Sequence, residues 1–267
     1  MMNKQQTAFD LLKEGTVWPQ TLLENYLTVA LGLRKCSLMT IPAELPDAES
    51  IAKAIDLACV SDYRKVALER NAGKKRKLIQ GFKNKLREAY EQSLRNSSSY
   101  RSHIAWTNRL GIQIFEVEVR PTVRELFLYL DSHLRSTLQE LSARRAMLRE
   151  EILRSLTEPL PHSVVAYPEE YSPEYVLRVG ELLRYPRCCT KAYVEGRTRG
   201  KVLAEERASK QIKTARVQGI EPDPYAYFVK DFMPCTPTCS NVATVGRTFL
   251  RGSSTSTTGF PNSMFDV

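Results

Sequence analysis

Apolar residues recur every three or four positions along much of the first half of the chain, a spacing typical of helices. The first such stretch begins at Pro19, which suits a first helical turn, and ends before Gly32. Pro42 and Pro46 then interrupt the pattern. After them Asp47 is the predicted N-cap of a helix over 48–60.

A second helical pattern follows the turn predicted at Asn71-Ala72-Gly73, a combination that ends helices and starts turns. Beyond it an apolar residue occurs at every fourth position, and three serines from Ser97 to Ser99 are predicted to end the helix. This spacing predicts a helix with a narrow apolar stripe. The stripe consists of Leu78, Phe82, Leu86, Tyr90 and Leu94.

The most strand-like segment is 112–119, "IQIFEVEV", which alternates partly and is rich in residues that favour β-structure. Pro121 is predicted to open the longest helix of the chain. That helix would run to about residue 156, because Val123, Phe127 and Leu130 continue into a series of leucines at helical spacing.

The prolines Pro159 and Pro161 mark the predicted domain boundary. After it the patterns predict short strands over 163–167 and 225–232, helices over 173–183, 190–216 and 241–250, and an unstructured Ser/Thr-rich tail. The predicted fold class is mainly α with a few short strands (α+β). The predicted domains are a helical domain over 1–158, a cysteine-containing α+β domain over 162–250 and the tail over 251–267.

Composition places the chain among globular proteins, with 42% hydrophobic and 26% charged residues. Apolar runs fall short of the roughly 18 residues that a membrane span needs, and a signal-peptide pattern is missing at the start. The sequence therefore predicts a cytoplasmic protein without a membrane partner.

The net charge of +9 is concentrated in one segment. Twelve Lys and Arg residues stand against three acids between Arg64 and Arg101. A concentrated basic element is typical of proteins that bind polyanions, and RNA or the ribosome is the predicted partner. A solvated face on a core-packed helix is the alternative. The predicted contact residues are Lys74, Lys75, Arg76, Lys77, Lys83, Lys85, Arg87 and Arg95.

Four of the six cysteines fall in two proline-flanked groups, Cys188-Cys189 in "RYPRCC" and Cys235 with Cys239 in "MPCTPTC". Such grouping indicates a metal site, disulfide bonds or thiol chemistry. Since both groups follow prolines that fix the backbone, we expect one of Cys188 and Cys189 to lie within bonding reach of Cys235 or Cys239.

For a metal site, adjacent cysteines rarely reach one ion, so one of Cys188 and Cys189 is expected to join Cys235 and Cys239. Three thiolates with an open fourth position suit zinc or an iron–sulfur cluster, and His162 is a candidate fourth ligand. Two cross-linking disulfides and a catalytic thiol are the other interpretations. Cys36 and Cys59 are expected to be buried packing residues.

The segments "LLRYPRCCTKAYVEG", "DPYAYFV" and "PCTPTCSNVATVGR" together resemble an archaeal family known as domain of unknown function 483. The resemblance covers residues 173–250. It points to Tyr185, Pro186, Pro234 and the four clustered cysteines, and it implies an archaeal, cytosolic protein. It implies no activity.

Two functions follow as hypotheses. The first is a cytosolic polyanion-binding protein, associated with RNA or the ribosome, whose second domain is held by a structural four-cysteine site. The alternative is a metal- or iron–sulfur-dependent enzyme or redox protein that uses Cys188 or Cys189 together with Cys235 and Cys239.

Overall fold

The computed structural model describes residues 16–155, 167–197, 204–227 and 233–255. The chain divides into two compact units. The first consists of Met1–Ala30 and Ser37–Leu130, and the second of Leu31–Cys36 and Asp131–Val267. Helices dominate, with one three-stranded sheet, which confirms the predicted fold class. The boundary predicted at 158–162 lies outside the described residues.

The first unit begins with helix α1, which runs through Pro19–Thr21, a π-helical turn over Leu22–Leu27, and Thr28–Ala30. Pro19 occupies the start of this helix, as the sequence predicts. The helix presents Leu22 and Tyr26 to the core, where each is 1% exposed.

Helices α2 (Ala48–Leu68) and α3 (Ala72–Asn96) pack against each other as a helical hairpin. Helix α2 is eight residues longer than predicted. Asp47 precedes it without a capping hydrogen bond, and one oxygen of its carboxylate accepts a hydrogen bond from the Ser97 hydroxyl. Asn71 starts α3 rather than ending α2, since its side chain accepts a hydrogen bond from the Lys74 amide.

The serines after α3 begin a new helix as well as ending the old one. Ser97 caps α4 (Ser98–Leu110) by accepting a hydrogen bond from the Tyr100 amide. This helix has no counterpart among the sequence predictions. Its buried face carries polar residues such as His103 and Thr107 beside Trp106, which weakens the apolar periodicity.

The sheet contains β1 (Cys36–Ile41), β2 (Gln113–Arg120) and β3 (Val123–Tyr129) in the order β1-β3-β2. Strand β2 confirms the predicted strand, but the helix predicted from Pro121 is wrong over β3. The chain turns at Pro121 and Thr122 and pairs back antiparallel on β2, with Phe127 opposite Phe115. Residues 126–129 of this central strand are all apolar and buried, so the segment lacks the alternation that marks a half-buried strand.

The core of the first unit lies between the sheet and helices α1 to α4. It includes Tyr26, Met39, Ile41, Leu45, Tyr90, Leu94, Trp106, Leu126 and Leu128, each at most 1% exposed.

The second unit starts with α5 (Leu134–Ser155), which begins thirteen residues after the predicted start at Pro121 and is shorter than α3. A 3-10 turn (Pro168–Tyr171) follows, and then α6 (Pro173–Leu182), which confirms the helix predicted from Pro173. A buried ion pair, 2.5 Å between Arg145 and Glu169, joins α5 to the 3-10 turn. The strand predicted over 163–167 falls largely outside the described residues.

Three more helices complete this unit, α7 (Arg187–Glu195), α8 (Ala204–Val217) and α9 (Ser240–Thr255). The predicted helix over 190–216 corresponds to α7 and α8, and residues 198–203 between them lie outside the described ranges. The strand predicted from Tyr225 is wrong at its start, because Pro224–Tyr227 is a 3-10 turn. Helix α9 continues to Thr255, into the predicted tail, and residues 256–267 are not described.

No helix among the described residues combines the length and the apolar character needed to cross a membrane.

Candidate metal centre and basic hairpin

Two turns deliver the four clustered cysteines to one place in the second unit. Pro186 precedes α7, so Cys188 and Cys189 are the second and third residues of that helix. Cys235 and Cys239 bracket a tight loop, closed by a 3.1 Å hydrogen bond from the Cys239 amide to the Thr236 carbonyl. Cys239 directly precedes α9, and its carbonyl accepts the first hydrogen bond of that helix from Ala243.

The four sulfur atoms form a compact cluster, all within 4.8 Å of one another. The Sγ atom of Cys189 lies 3.7 Å from that of Cys239, and the Sγ atom of Cys188 lies 3.8 Å from those of Cys189 and Cys239. The expected proximity of the two cysteine groups is therefore confirmed. These separations are far longer than the roughly 2.05 Å of a disulfide bond, and all six cysteines are free.

The sulfur separations match those of ligands that share one tetrahedral ion. Four thiolates about 2.3 Å from a central zinc lie about 3.8 Å apart. In a cluster with several irons, the sulfurs bind different metal atoms and must lie farther apart. Cys188, Cys189, Cys235 and Cys239 therefore fit one thiophilic ion, and together they can hold it without another ligand.

The expectation that only one of the adjacent cysteines joins the cluster is wrong. Side chains in a helix lean toward its N-terminus. In the first turn no preceding turn fills that space, so Cys188 and Cys189 can both extend past the end of α7. A fourth ligand from elsewhere is then unnecessary, and the candidate His162 lies outside the described residues.

Hydrogen bonds and helix dipoles favour negative charge on these sulfurs. The Cys235 amide donates to the Cys189 sulfur at 3.3 Å, and the Asn241 side chain donates to the Cys188 sulfur at 3.4 Å. The N-termini of α7 and α9 carry partial positive charge beside the cluster. Such N–H to sulfur contacts orient thiolate ligands and stabilise their charge. Sequence reasoning missed Asn241, although its place two residues after Cys239 was a usable signal.

The thiols of the cluster do not ionise equally. Burial opposes ionisation of Cys188, but the hydrogen bond from Asn241 and those shared with neighbouring cysteines lower its pKa. Burial raises the pKa of Cys235 to about 11 and also raises the pKa of Cys189. The Cys188 thiol therefore ionises more easily than the thiols of Cys189 and Cys235, whose ionisation a bound cation would favour.

Close helix packing holds the first pair of ligands in position. A Cβ atom at Gly180 of α6 would lie 2.7 Å from the side chain of Thr190 in α7. Only glycine therefore lets α6 approach α7 this closely at the turn that carries Cys188 and Cys189. Around the buried thiols, Ala226, Val242 and Ala243 supply the apolar packing.

A cleft of about 570 Å³ lies next to the loop that joins Cys235 and Cys239. Thr236, Pro237 and Thr238 of the loop form part of its wall, opposite residues of α8. From α8, Gln211 donates a 2.7 Å hydrogen bond to the Cys235 carbonyl, which fixes the loop from the cleft side. Local patterns carry no signal for this contact, because 24 residues separate the partners.

Among the described residues, the cysteines and histidines outside the cluster are buried, except for the exposed His133. Cys36 and Cys59 are 0% and 3% exposed, as expected for packing residues. His103 is also buried and pairs with the Tyr26 hydroxyl through its Nδ1 atom, while His133 is exposed. Burial lowers the pKa of His103 to about 4, so the ring is neutral at pH 7.

The predicted basic residues lie on α3, and their surroundings differ. We call residues 60–85, the turn end of α2 and α3, the basic hairpin. Six of the eight predicted contact residues belong to the basic hairpin. Arg87 is outside it and forms an ion pair with Glu118 at 2.8 Å, and the exposed Arg95 is also outside.

The basic hairpin carries nine Lys and Arg residues against two acids, Asp62 and Glu69. Eight of the nine bases are exposed, and Lys75 is half-buried. Of these nine bases, only Lys65 forms an ion pair with a residue that the structure describes, Asp62 at 3.0 Å. Helix α2 and the turn after it contribute three of these bases, which the predicted site omitted. They are Arg64, Lys65 and Arg70.

No family model, curated protein or solved structure matches this chain. The resemblance of residues 173–250 to the archaeal family stays a prediction, as does the cytoplasmic location.

Proposed function

We propose that the protein binds RNA through the basic hairpin, and that the four-cysteine centre is a structural zinc site that maintains the second unit. The observation that carries the RNA proposal is the nine-to-two excess of bases over acids in the basic hairpin, with one ion pair among the described residues. Unneutralised like charges on one short hairpin repel each other, and a bound phosphate backbone removes that repulsion.

The anchoring of α3 supports the same proposal. Tyr90 and Leu94 near its end are 0% and 1% exposed and fix the helix in the core. Leu78, Phe82 and Leu86 are half-buried against α2. The bases between Lys74 and Lys85 therefore lie on a helix that is packed through its apolar stripe. Binding of a polyanion would then require no refolding of this helix.

Structural zinc is favoured for the cysteine centre by ligand number and spacing. Four sulfurs at 3.7 to 4.8 Å fill a tetrahedral shell, whereas a catalytic zinc site keeps one position open. The bound ion would neutralise charge and cross-link α7 to α9. Metal-dependent catalysis, the alternative expected from the sequence, would need a ligand to leave.

Salt-dependent RNA binding tests the first proposal. Replacing Lys74, Lys75, Arg76 and Lys77 by Gln should weaken binding to labelled RNA. It should also reduce the magnitude of the slope of log K against log salt, by roughly 0.7 for each phosphate of a single strand that the variant no longer neutralises. The matched control replaces four exposed bases of the second unit by Gln, namely Arg135, Lys210, Lys213 and Arg216. Absence of RNA binding by the wild type would refute the proposal, as would equal behaviour of the two variants.

Metal analysis of anaerobically purified protein tests the second proposal. We expect one zinc ion per chain and no visible absorption. A coloured protein that contains iron would contradict the zinc assignment and favour a redox role. Cys59→Ala is the control, because Cys59 belongs to the first unit and its replacement should leave the metal content unchanged.

A further inference from the structure

The basic hairpin carries an exposed aromatic ring, which charge alone does not explain. The Tyr63 side chain on α2 is 60% exposed, and its ring centroid lies 6.2 Å from that of Phe82 on α3. Phe82 is half-buried, and its ring lies beside that of Tyr63 at an angle of 51°. Most of the other tyrosines in the described part of the chain are buried or half-buried.

Helical spacing surrounds Tyr63 with apolar and basic neighbours. Val60 is three residues before it on α2, and Ile79 and Lys85 are three residues on either side of Phe82 on α3. Val60 and Ile79 are 45% and 36% exposed, and Lys85 is exposed. The hairpin thus exposes an aromatic ring and two aliphatic side chains among basic residues.

We infer that Tyr63 is a stacking platform for an unpaired base, so that the preferred ligand of the basic hairpin is single-stranded RNA. This inference rests on the proposed RNA binding and names the kind of RNA bound. Bases in a duplex are already stacked and hidden from an exposed ring. An unpaired base can leave its neighbours and stack on an aromatic side chain, while the phosphates on either side meet lysines.

The charge of the surface favours this occupant over a protein helix on the same apolar residues. A partner protein would have to be strongly acidic to offset the excess of seven bases in residues 60–85. An RNA strand carries one phosphate per nucleotide, and its base supplies the ring that Tyr63 can stack on. A single ligand therefore fits both features of the hairpin.

The test compares a labelled single-stranded RNA of about 20 nucleotides with an RNA duplex of the same length. Tyr63→Ala should weaken single-strand binding about 5- to 150-fold, the range for removing one stacked base. It should leave duplex binding and the salt slope unchanged, because tyrosine neutralises no phosphate. Tyr63→Phe should stay within about twofold of the wild type, since a phenyl ring stacks equally well. Trp18→Ala is the control, an exposed aromatic residue outside the hairpin.

A second variant covers the case in which Tyr63→Ala folds poorly. In Tyr63→Trp the new indole should lose fluorescence on adding the single strand and keep it on adding the duplex. If the wild type binds single-stranded RNA and Tyr63→Ala binds it equally well, the stacking inference is wrong while RNA binding stands. An equal loss of affinity for single strand and duplex also overturns it. If the wild type binds neither RNA, both proposals fail together.

Discussion

In the first unit nine basic side chains crowd onto a solvent-exposed hairpin, whereas in the second unit four thiols converge in a largely buried cluster. Each arrangement concentrates groups that carry, or can acquire, like charge, and under the proposed function each binds a partner of opposite charge. The hairpin keeps its charges in water, where salt screens them, so it folds without its partner. The cysteine cluster is largely buried, so on the proposed zinc assignment metal binding and folding would be coupled there. Under the proposed function, the metal is therefore part of the folded second unit, whereas RNA is not required for the hairpin to fold.

The strongest test of this contrast is metal removal. A chelator, or the substitution Cys239→Ser, should unfold the second unit, because structural zinc contributes on the order of 10 kcal/mol in small domains. Hydrogen exchange should show reduced protection in Arg187–Glu195 and Ser240–Thr255 and unchanged protection in Ala72–Asn96. If α7 and α9 stay protected after the metal is removed, the centre is not structural.

Acid should weaken the first unit through a buried histidine. The pKa of His103 is about 4 in the folded chain because of burial, below its ordinary value of 6.5. Its contribution is therefore present above pH 6.5 and is lost as pH falls from 6.5 to 4, by roughly 3 kcal/mol. Urea unfolding between about pH 7 and pH 4 measures this change. His103→Gln should flatten the pH dependence, and substitution of the exposed His133 should not.

Raising the pH should change the stability of the metal-free second unit and that of the metal-bound second unit in opposite directions. Burial raises the pKa of Cys235 to about 11, above the ordinary thiol value of 9. The stability linked to this raised pKa is present below pH 9 and is lost as pH rises toward 11. In the loaded protein thiolates are the bound form, so the metal should be released as pH falls instead. Thermal unfolding of both forms from about pH 5 to 11 would reveal trends of opposite sign, and parallel trends would contradict the thiolate assignment.

The hydrogen bond from Asn241 offers a smaller test at the metal centre. Asn241→Leu removes the side-chain donor to the Cys188 sulfur. Removing a hydrogen bond of this kind typically weakens metal affinity about 10- to 100-fold. Competition with a chromogenic chelator measures the affinity. Thr244→Val on the next turn of α9 is the matched control, since its hydroxyl donates to the Ser240 carbonyl and not to a sulfur.

Two glycines inside helices are expected to give effects of opposite sign in the two units. Nothing lies within 4 Å of a Cβ atom added at Gly81 in α3, so Gly81→Ala should stabilise the first unit by about 0.5 to 1 kcal/mol. At Gly180 the added atom would clash with Thr190, so Gly180→Ala should destabilise the second unit by about 1 to 3 kcal/mol. Chemical denaturation measures both. A destabilised Gly81→Ala would indicate a contact on the hairpin that the structure does not show.

The sequence predicted those parts of the fold whose cause is local. The stripe from Leu78 to Leu94 predicted α3, and the prolines beside the two cysteine groups indicated their convergence. Strand β3 was predicted to be part of a helix, because the four-residue spacing of Val123 and Phe127 is compatible with a helix and with a strand. Pairing with β2 makes the segment a strand. Long-range pairing of this kind leaves little trace in a local pattern.

At the candidate sites, the sequence analysis missed the joint use of Cys188 and Cys189 and the contacts of Gln211 and Tyr63 for a related reason. The joint use of Cys188 and Cys189 depends on their place in the first turn of α7, and spacing alone does not reveal it. Gln211 and Tyr63 contact residues on other elements, Cys235 and Phe82, and local spacing does not reveal such contacts. Charge density, in contrast, is a property of composition, so the basic segment could be identified without a structure.

The assignment of Leu31–Cys36 to the second unit has a consequence for the order in which the chain folds during synthesis. The guanidinium of Arg34 in this segment is 4.9 Å from the ring of Phe249 and 5.8 Å from that of Tyr185. The first unit has all its residues once Leu130 has left the ribosome. Residues 31–36 are synthesised early, but Arg34 can contact Phe249 only after helix α9 has been synthesised near the end of the chain. A cut between residues 130 and 131 would put residues 31–36 on the N-terminal fragment, although they belong to the second unit. We therefore expect the C-terminal fragment to form the complete second unit only when the N-terminal fragment is co-expressed with it.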